Sequence, residues 1–167
     1  MTGRFLEIKL MGRLFSISLL TLGIDQFTKY LIYYVLDLES IRRMVVIPTI
    51  LNFHLAWNEG INFGLFGGGG ELTRYIWIAL ALVIVACFYI YAFKQEKNWV
   101  MFLSMGLITG GALGNTIDRI IYGAVMDYLN ITCCGIKNPY SFNVADTAIF
   151  FGLGLLLFFG NKHSKSN

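Results

Sequence analysis

The stretch RYIWIALALVIVACFYIYAF, residues 74–93, decides the fold, because no charge follows Arg74 until Lys94. About 20 apolar residues in a row are what a helix needs to cross the hydrocarbon core of a bilayer. The polar residues Lys94, Glu96 and Lys97 then leave so short a loop that the next helix must return antiparallel. That helix is expected over about 99–122, with Gly106, Gly110, Gly111 and Gly114 allowing neighbouring helices to approach closely. Two further apolar segments, about 14–36 and 144–159, complete a mainly α membrane fold, a four-transmembrane-helix bundle in one domain over 1–167.

Composition agrees. The chain is 56% hydrophobic and 14% charged, against about 25% charged in ordinary soluble domains. Its net charge of +3 comes from scattered basic residues, which excludes a nucleic-acid surface. Cys87, Cys133 and Cys134 form no CxxC pattern, and His54 and His163 lie far apart, so neither a metal site nor a cofactor is expected. The adjacent pair Cys133 and Cys134 reads as two independent thiols.

The first apolar segment carries Asp25 and Lys29 and ends at Tyr33-Tyr34, unlike the short apolar core and small cleavage residues of a signal peptide. It is expected to be retained. Residues 37–71 change character, with Glu39, Arg42, Arg43 and Glu59, a proline at Pro48, and β-rich pieces at 44–47 and 50–53. A small β-rich extracytoplasmic insertion between the first and second spans is expected there. Gly67 to Gly70 mark a turn back to the bilayer. Arg4, Lys9, Arg13, Lys94, Lys97, Lys162 and Lys165 fall on one side of such a bundle, which the positive-inside rule makes cytoplasmic, although Arg42, Arg43 and Lys137 oppose the contrast. Both termini are expected inside.

Polar side chains within hydrocarbon are costly, so they direct the functional reading. Asp25 and Lys29 share a helix face and can pair. Asn115 and Arg119 have the same spacing, while Asp118 points about 100° away from Arg119. Arg119 is expected to neutralise a carboxylate or hold an anionic or ester-bearing headgroup. Asp127 lies just beyond the outward end of the third span and Asp146 at the start of the fourth, so the chain path returns both carboxylates to one membrane face. Two carboxylates sharing a site share a proton, and one can then activate water while the other protonates the carbonyl oxygen or leaving amine. Paired intramembrane acids also serve proton or cation transport.

Asp25-Gln-x-x-Lys29, Asn58-x-Gly60, Gly111-Ala-Leu-Gly114-Asn115-x-x-Asp118-Arg119-x-x-x-Gly123-x-Val125-x-Asp127-Tyr128 and Phe142-Asn143-x-Ala145-Asp146 resemble, in order and spacing, the lipoprotein signal peptidases. The resemblance runs from about Gly23 to Gly154. It implies an aspartic endopeptidase that cleaves bacterial prolipoproteins before a diacylglyceryl-modified cysteine, at the outer face of the cytoplasmic (inner) membrane. The catalytic aspartates of the family fall on Asp127 and Asp146. Its supporting residues fall on Asn58, Gly60, Asn115, Arg119 and Asn143, with Asp25 and Lys29 supporting the structure. The resemblance also implies membrane lipid around the site, inhibition by globomycin, and a mechanism for which a monomer suffices. Two departures stand out: Asn62 where alanine is usual, and Tyr128 in place of a common phenylalanine.

The competing classes are a small proton- or cation-coupled transporter, in which Asp25, Lys29, Asp118, Arg119, Asp127 and Asp146 form a relay, and a non-catalytic assembly factor. The first expects polar groups spread across membrane depth and an internal repeat. The second leaves the two aspartates unexplained.

Overall fold

The computed structural model describes residues 2–60, 71–93, 99–133 and 138–159, with side chains from residue 11 onward. Asn62, Gly67 to Gly70, the basic loop at Lys94 and Lys97, Cys134, Lys137, the tail from Lys162 with His163 and Lys165, and the side chains of Arg4 and Lys9 lie outside that description.

Helix α1 (Thr2–Tyr30) starts well before the apolar stretch and ends in a π-helical turn, Leu31–Val35. A four-residue helix α2 (Leu38–Ile41) follows, with Asp37 and Arg42 at φ 49° and 57° reversing the chain on either side. Leu38, fully buried, anchors this turn. Strands β1 (Arg43–Ile47) and β2 (Leu51–Asn58) form a hairpin close to where the sequence placed short strands. Helices α3 (Glu71–Phe93) and α4 (Trp99–Tyr122), strand β3 (Val125–Ile131) and helix α5 (Val144–Phe159) complete the order.

The sheet departs from expectation. It is a three-stranded antiparallel sheet in the order β1-β2-β3, so the segment after α1 is completed by chain from beyond α4. The first four residues of β3, Val125 to Tyr128, are buried on both faces, which erases the alternation that marks a half-exposed strand in sequence. Leu129 also bridges to Phe142, extending the pairing toward α5. A second departure is at Cys133, which is disulfide-bonded rather than a free thiol.

Helix α4 is the central helix. Two-thirds (67%) of its most apolar window is buried, against 6% for α3, whose Leu72, Leu80, Leu82, Val83 and Ile90 point outward. An apolar surface on this scale needs lipid rather than water around it. Alpha-helical packing here depends on small residues. A Cβ added at Gly106 would sit 2.6 Å from Ile17, and one at Gly110 2.5 Å from the Ser18 carbonyl, so one ridge of α4 lies against the α1 backbone. Gly111 and Gly152 do the same between α4 and α5, at 2.5 Å from the Ala145 carbonyl and 2.8 Å from that of Ser104. Ser18 and Thr109 hydroxyls meet at 2.6 Å between α1 and α4, and Tyr89 of α3 donates to Ser18 at 3.2 Å. Such bonds are worth about 1 kcal/mol between helices in a membrane.

Candidate active site

Gly123, at φ 84°, turns the end of α4 into β3, a backbone conformation that a side chain would resist. Pairing with β2 then sets Asp127 opposite Ala56. Asn58, two residues along β2, is its diagonal neighbour on the same face and donates Nδ2 to Asp127 Oδ2 at 3.1 Å. Asn58 Oδ1 in turn accepts the Gly60 N–H at 3.0 Å, closing a tight turn.

The second carboxylate is placed by a helix cap. Asn143 precedes α5 and its Oδ1 accepts the Asp146 N–H at 2.8 Å, while Asp146 Oδ2 accepts the Asn143 N–H at 3.3 Å. This reciprocal pair is a capping box with aspartate in the third helical position, where the helix dipole favours negative charge. The same helix start donates the Ala145 N–H to Asp25 Oδ1 at 2.9 Å, which fastens α5 to α1.

Two amides join the carboxylates. Asn143 Nδ2 donates to Asp127 Oδ1 at 2.8 Å and reaches Asn115 Oδ1 at 3.1 Å. Asn115 Nδ2 donates to Asp146 Oδ1 at 2.8 Å. Asp127, Asn143, Asn115 and Asp146 thus form one continuous hydrogen-bonded chain contributed by β3, the α5 cap and α4. Asp127 is 4% exposed and Asp146 is half-buried. Burial, and then the charge of Asp146, push the Asp127 carboxyl up from 3.8 to about 7, against the pull of Asn58, Lys29 and Asn143.

Behind this chain lies a buried ionic cluster. Lys29 pairs with Asp25 at 2.7 Å and with Asp118 at 2.6 Å, and all three residues are at most 3% exposed. Gln26 donates to Asp118 at 3.0 Å and to the Gly114 carbonyl at 3.2 Å. Asp118 Oδ2 also accepts the Met126 N–H at 3.1 Å, so the cluster fixes the start of β3. Lys29 reaches Asn115 at 3.4 Å, linking the cluster to the carboxylate chain. Gly114 leaves space for Asp25, whose Oδ2 would be 2.6 Å from an added Cβ.

The expected Asp25–Lys29 pair is therefore present, but it is half of a triad. Asn115 and Asp118, three residues apart on α4, turn toward α1, while Arg119 turns toward α3. Among the described residues Arg119 makes no ion pair. Its guanidinium lies 5.8 Å from the Trp77 ring centroid and donates Nη1 to the Asn115 carbonyl at 3.4 Å, and its buried Nε has no partner among the described residues. Asp118 entered the sequence reading only as part of the transporter relay and Gln26 had no role there, although both stand in the motif segments, and Trp77 carried no signal beyond belonging to an apolar helix. Among the described residues no group of three or more His, Cys, Asp or Glu converges as a metal site would require.

A family model described as signal peptidase II matches residues 17–160. The chain belongs to the signal peptidase II family. Similar proteins include a lipoprotein signal peptidase of Methylorubrum extorquens, 38% identical over 140 residues covering 83% of this chain and 80% of the relative. Another, from Thermodesulfovibrio yellowstonii, is 37% identical over 155 residues, covering 92% and 97%. A solved bacterial membrane enzyme structure superposes with a TM-score of 0.77 at 27% identity, covering 92% of this chain and 95% of that one. A second such structure gives 0.74 at 27% identity, over 93% and 94%. The chain is thus a membrane-embedded, mostly helical signal peptidase II with a small three-stranded sheet.

Of the two departures from the signal peptidase II pattern, Tyr128 is 2% exposed and donates its hydroxyl to Thr28 Oγ1 at 2.8 Å. Strand alternation sends it to the face opposite Asp127, so its phenol fastens β3 to α1 and leaves the carboxylates untouched.

Proposed function

We propose that this signal peptidase II removes signal peptides from bacterial prolipoproteins through Asp127 and Asp146, cleaving before the diacylglyceryl-modified cysteine. The observation that carries the reading is the pair itself. Two carboxylates from separate segments share one amide-bridged chain, and Asp127 is pushed up to about 7, within reach of one shared proton at neutral pH.

In the proposed reaction Asp146 acts as general base and takes a proton from water as the water oxygen attacks the scissile carbonyl. Asp127 gives its proton to the carbonyl oxygen, forming a tetrahedral diol. Collapse breaks the C–N bond as Asp146 passes the proton it took from water to the amine nitrogen of the lipidated cysteine and Asp127 takes a proton back from a diol hydroxyl, which restores the pair. Asn58 and Asn143 hold the two Asp127 oxygens, Asn115 holds Asp146, and Gly60 lets the Asn58 turn close. Arg119 positions the lipid-bearing peptide. Asp25 and Lys29 support β3 and α5 from behind.

The four apolar segments, about 14–36, 74–93, 99–122 and 144–159, cross the cytoplasmic (inner) membrane with both termini inside and the aspartates at the outer face. Substrate enters laterally with its acyl chains among membrane lipids, and residues 37–71 cover the scissile bond from the extracytoplasmic side. A monomer suffices, and globomycin is expected to compete for the same site.

Cleavage of a purified diacylglyceryl-modified prolipoprotein in detergent by the wild type, Asp127→Asn and Asp146→Asn tests the reading, with folding of each checked by thermal melting. Loss of cleavage in both folded variants is the expected result. Full activity in either removes the dyad, and an inactive wild type that carries protons or cations in liposomes favours the transporter.

A further inference from the structure

Trp77 lies on α3, which contributes nothing to the chain of hydrogen bonds between the carboxylates. Its indole nevertheless touches both sides of the site. On one side the Arg119 guanidinium sits 5.8 Å from the ring centroid, within the range of a cation–π contact. On the other, the indole Nε1 edge fills the space that a side chain at Gly60 would need, with Cδ1 2.9 Å from an added Cβ. Gly60 closes the turn that aims Asn58 at Asp127.

The surroundings of Arg119 make this contact matter. Its Nη1 bond to the Asn115 carbonyl is long at 3.4 Å, its Nε has no partner, and it has no carboxylate in an ion pair among the described residues. The guanidinium also feels the charges of Asp146, Asp118 and Asp127 without an ion pair to any of them, so a flat surface against which it lies is needed to set the orientation of its plane. The indole is that surface. It is also the stop against which the Asn58–Gly60 turn rests, so one side chain sets the separation between the turn and Arg119.

We propose that Trp77 is a positioning residue for substrate in this enzyme, its ring orienting Arg119 and its Nε1 edge seating the Asn58–Gly60 turn. The role rests on the reading of Arg119 and the Asp127–Asp146 pair given above. It acts through Arg119 and the turn, so it belongs to binding of the lipid-bearing peptide more than to proton transfer.

The test compares KM and kcat for a diacylglyceryl-modified prolipoprotein, at fixed detergent concentration, between wild type, Trp77→Leu, Trp77→Phe and Asp127→Asn, with thermal melting of each. Leucine keeps apolar bulk and loses the aromatic face; phenylalanine keeps the face. Trp77→Leu is expected to raise KM about fivefold, the factor of a partly desolvated cation–π contact, with kcat within about twofold of wild type. Trp77→Phe, which keeps the face for Arg119 but lacks the Nε1 edge that seats the turn, is expected to recover part of that loss. Unchanged KM in Trp77→Leu overturns the proposal, as does a Phe variant no better than Leu, or a rate loss that only tracks loss of folded protein. Full activity in Asp127→Asn would instead overturn the dyad and leave the Trp77 comparison to report on binding alone.

Discussion

The Asn143 amide donates to Asp127 at 2.8 Å while its carbonyl oxygen accepts the Asp146 backbone N–H, also at 2.8 Å. One side chain therefore caps α5 and holds the neighbouring carboxylate, and the two duties can be separated. Asn143→Ser keeps an oxygen suited to the cap, so helix stability should change by only a few tenths of a kcal/mol. The donor to Asp127 is lost, and cleavage should fall about tenfold. Melting and initial rates on the same preparation check both halves.

Asp127 sets an expected pH dependence. Its carboxyl is pushed up from 3.8 to about 7, by burial first and by Asp146 second. The protonated form is the proton donor in the proposed reaction, so kcat/KM should fall as pH rises through about 7. The effect on stability has the same sign. Between 3.8 and about 7 the folded state binds the proton that the unfolded state has released, so Asp127 makes folding progressively less favourable as pH rises across that window. Asp127→Asn should remove this slope from a series of melts, even though it removes activity.

Lys29 forms ion pairs with both Asp25 and Asp118 in the buried cluster, and among the described residues no other cation pairs with either. Lys29→Met retains the volume and leaves two carboxylates without compensation. Destabilisation of about 3 to 5 kcal/mol is expected, the cost of breaking a buried ion pair from one side. Because Asp118 also holds the Met126 N–H, β3 should loosen with it. A much lower melting temperature, with activity lost in proportion to folded protein, is the expected outcome.

Gly111 tests the packing of the helix that carries Asp146. A Cβ there would meet the Ala145 carbonyl at 2.5 Å and Ile149 at 2.9 Å. Gly111→Ala must push α5 away from α4, at about 1 to 3 kcal/mol. The shift would lengthen the Asn115–Asp146 bond, so cleavage should fall by more than stability alone explains.

The apolar segments were legible because hydrophobic length is a local property, and α3, α4 and α5 lie close to the expected ranges. The first two strands were legible for a similar reason, as short β-rich pieces between turn residues. Strand β3 was not. Its partner β2 is some seventy residues away in sequence, and Val125-Met126-Asp127-Tyr128 is buried throughout, so no alternation announces it. The start of α1 was also hidden, since basic residues interrupt the apolar pattern before Leu14.

From residue order alone it follows that the chain belongs in a membrane, that the charges within and beside its apolar segments fall in a few motifs, and that the chain path brings Asp127 and Asp146 to one side. These follow from segment length, from the cost of charge in hydrocarbon, and from residue spacing. It took the three-dimensional packing to show that Asp118 joins Lys29, that Asn115 and Asn143 bridge the carboxylates, and that Arg119 rests on Trp77 and makes no ion pair among the described residues. Helical spacing fixes which residues share a face, but which neighbour that face meets depends on how the glycine ridges of α4 seat against α1 and α5. That choice is made by packing between segments distant in sequence, and no local pattern records it.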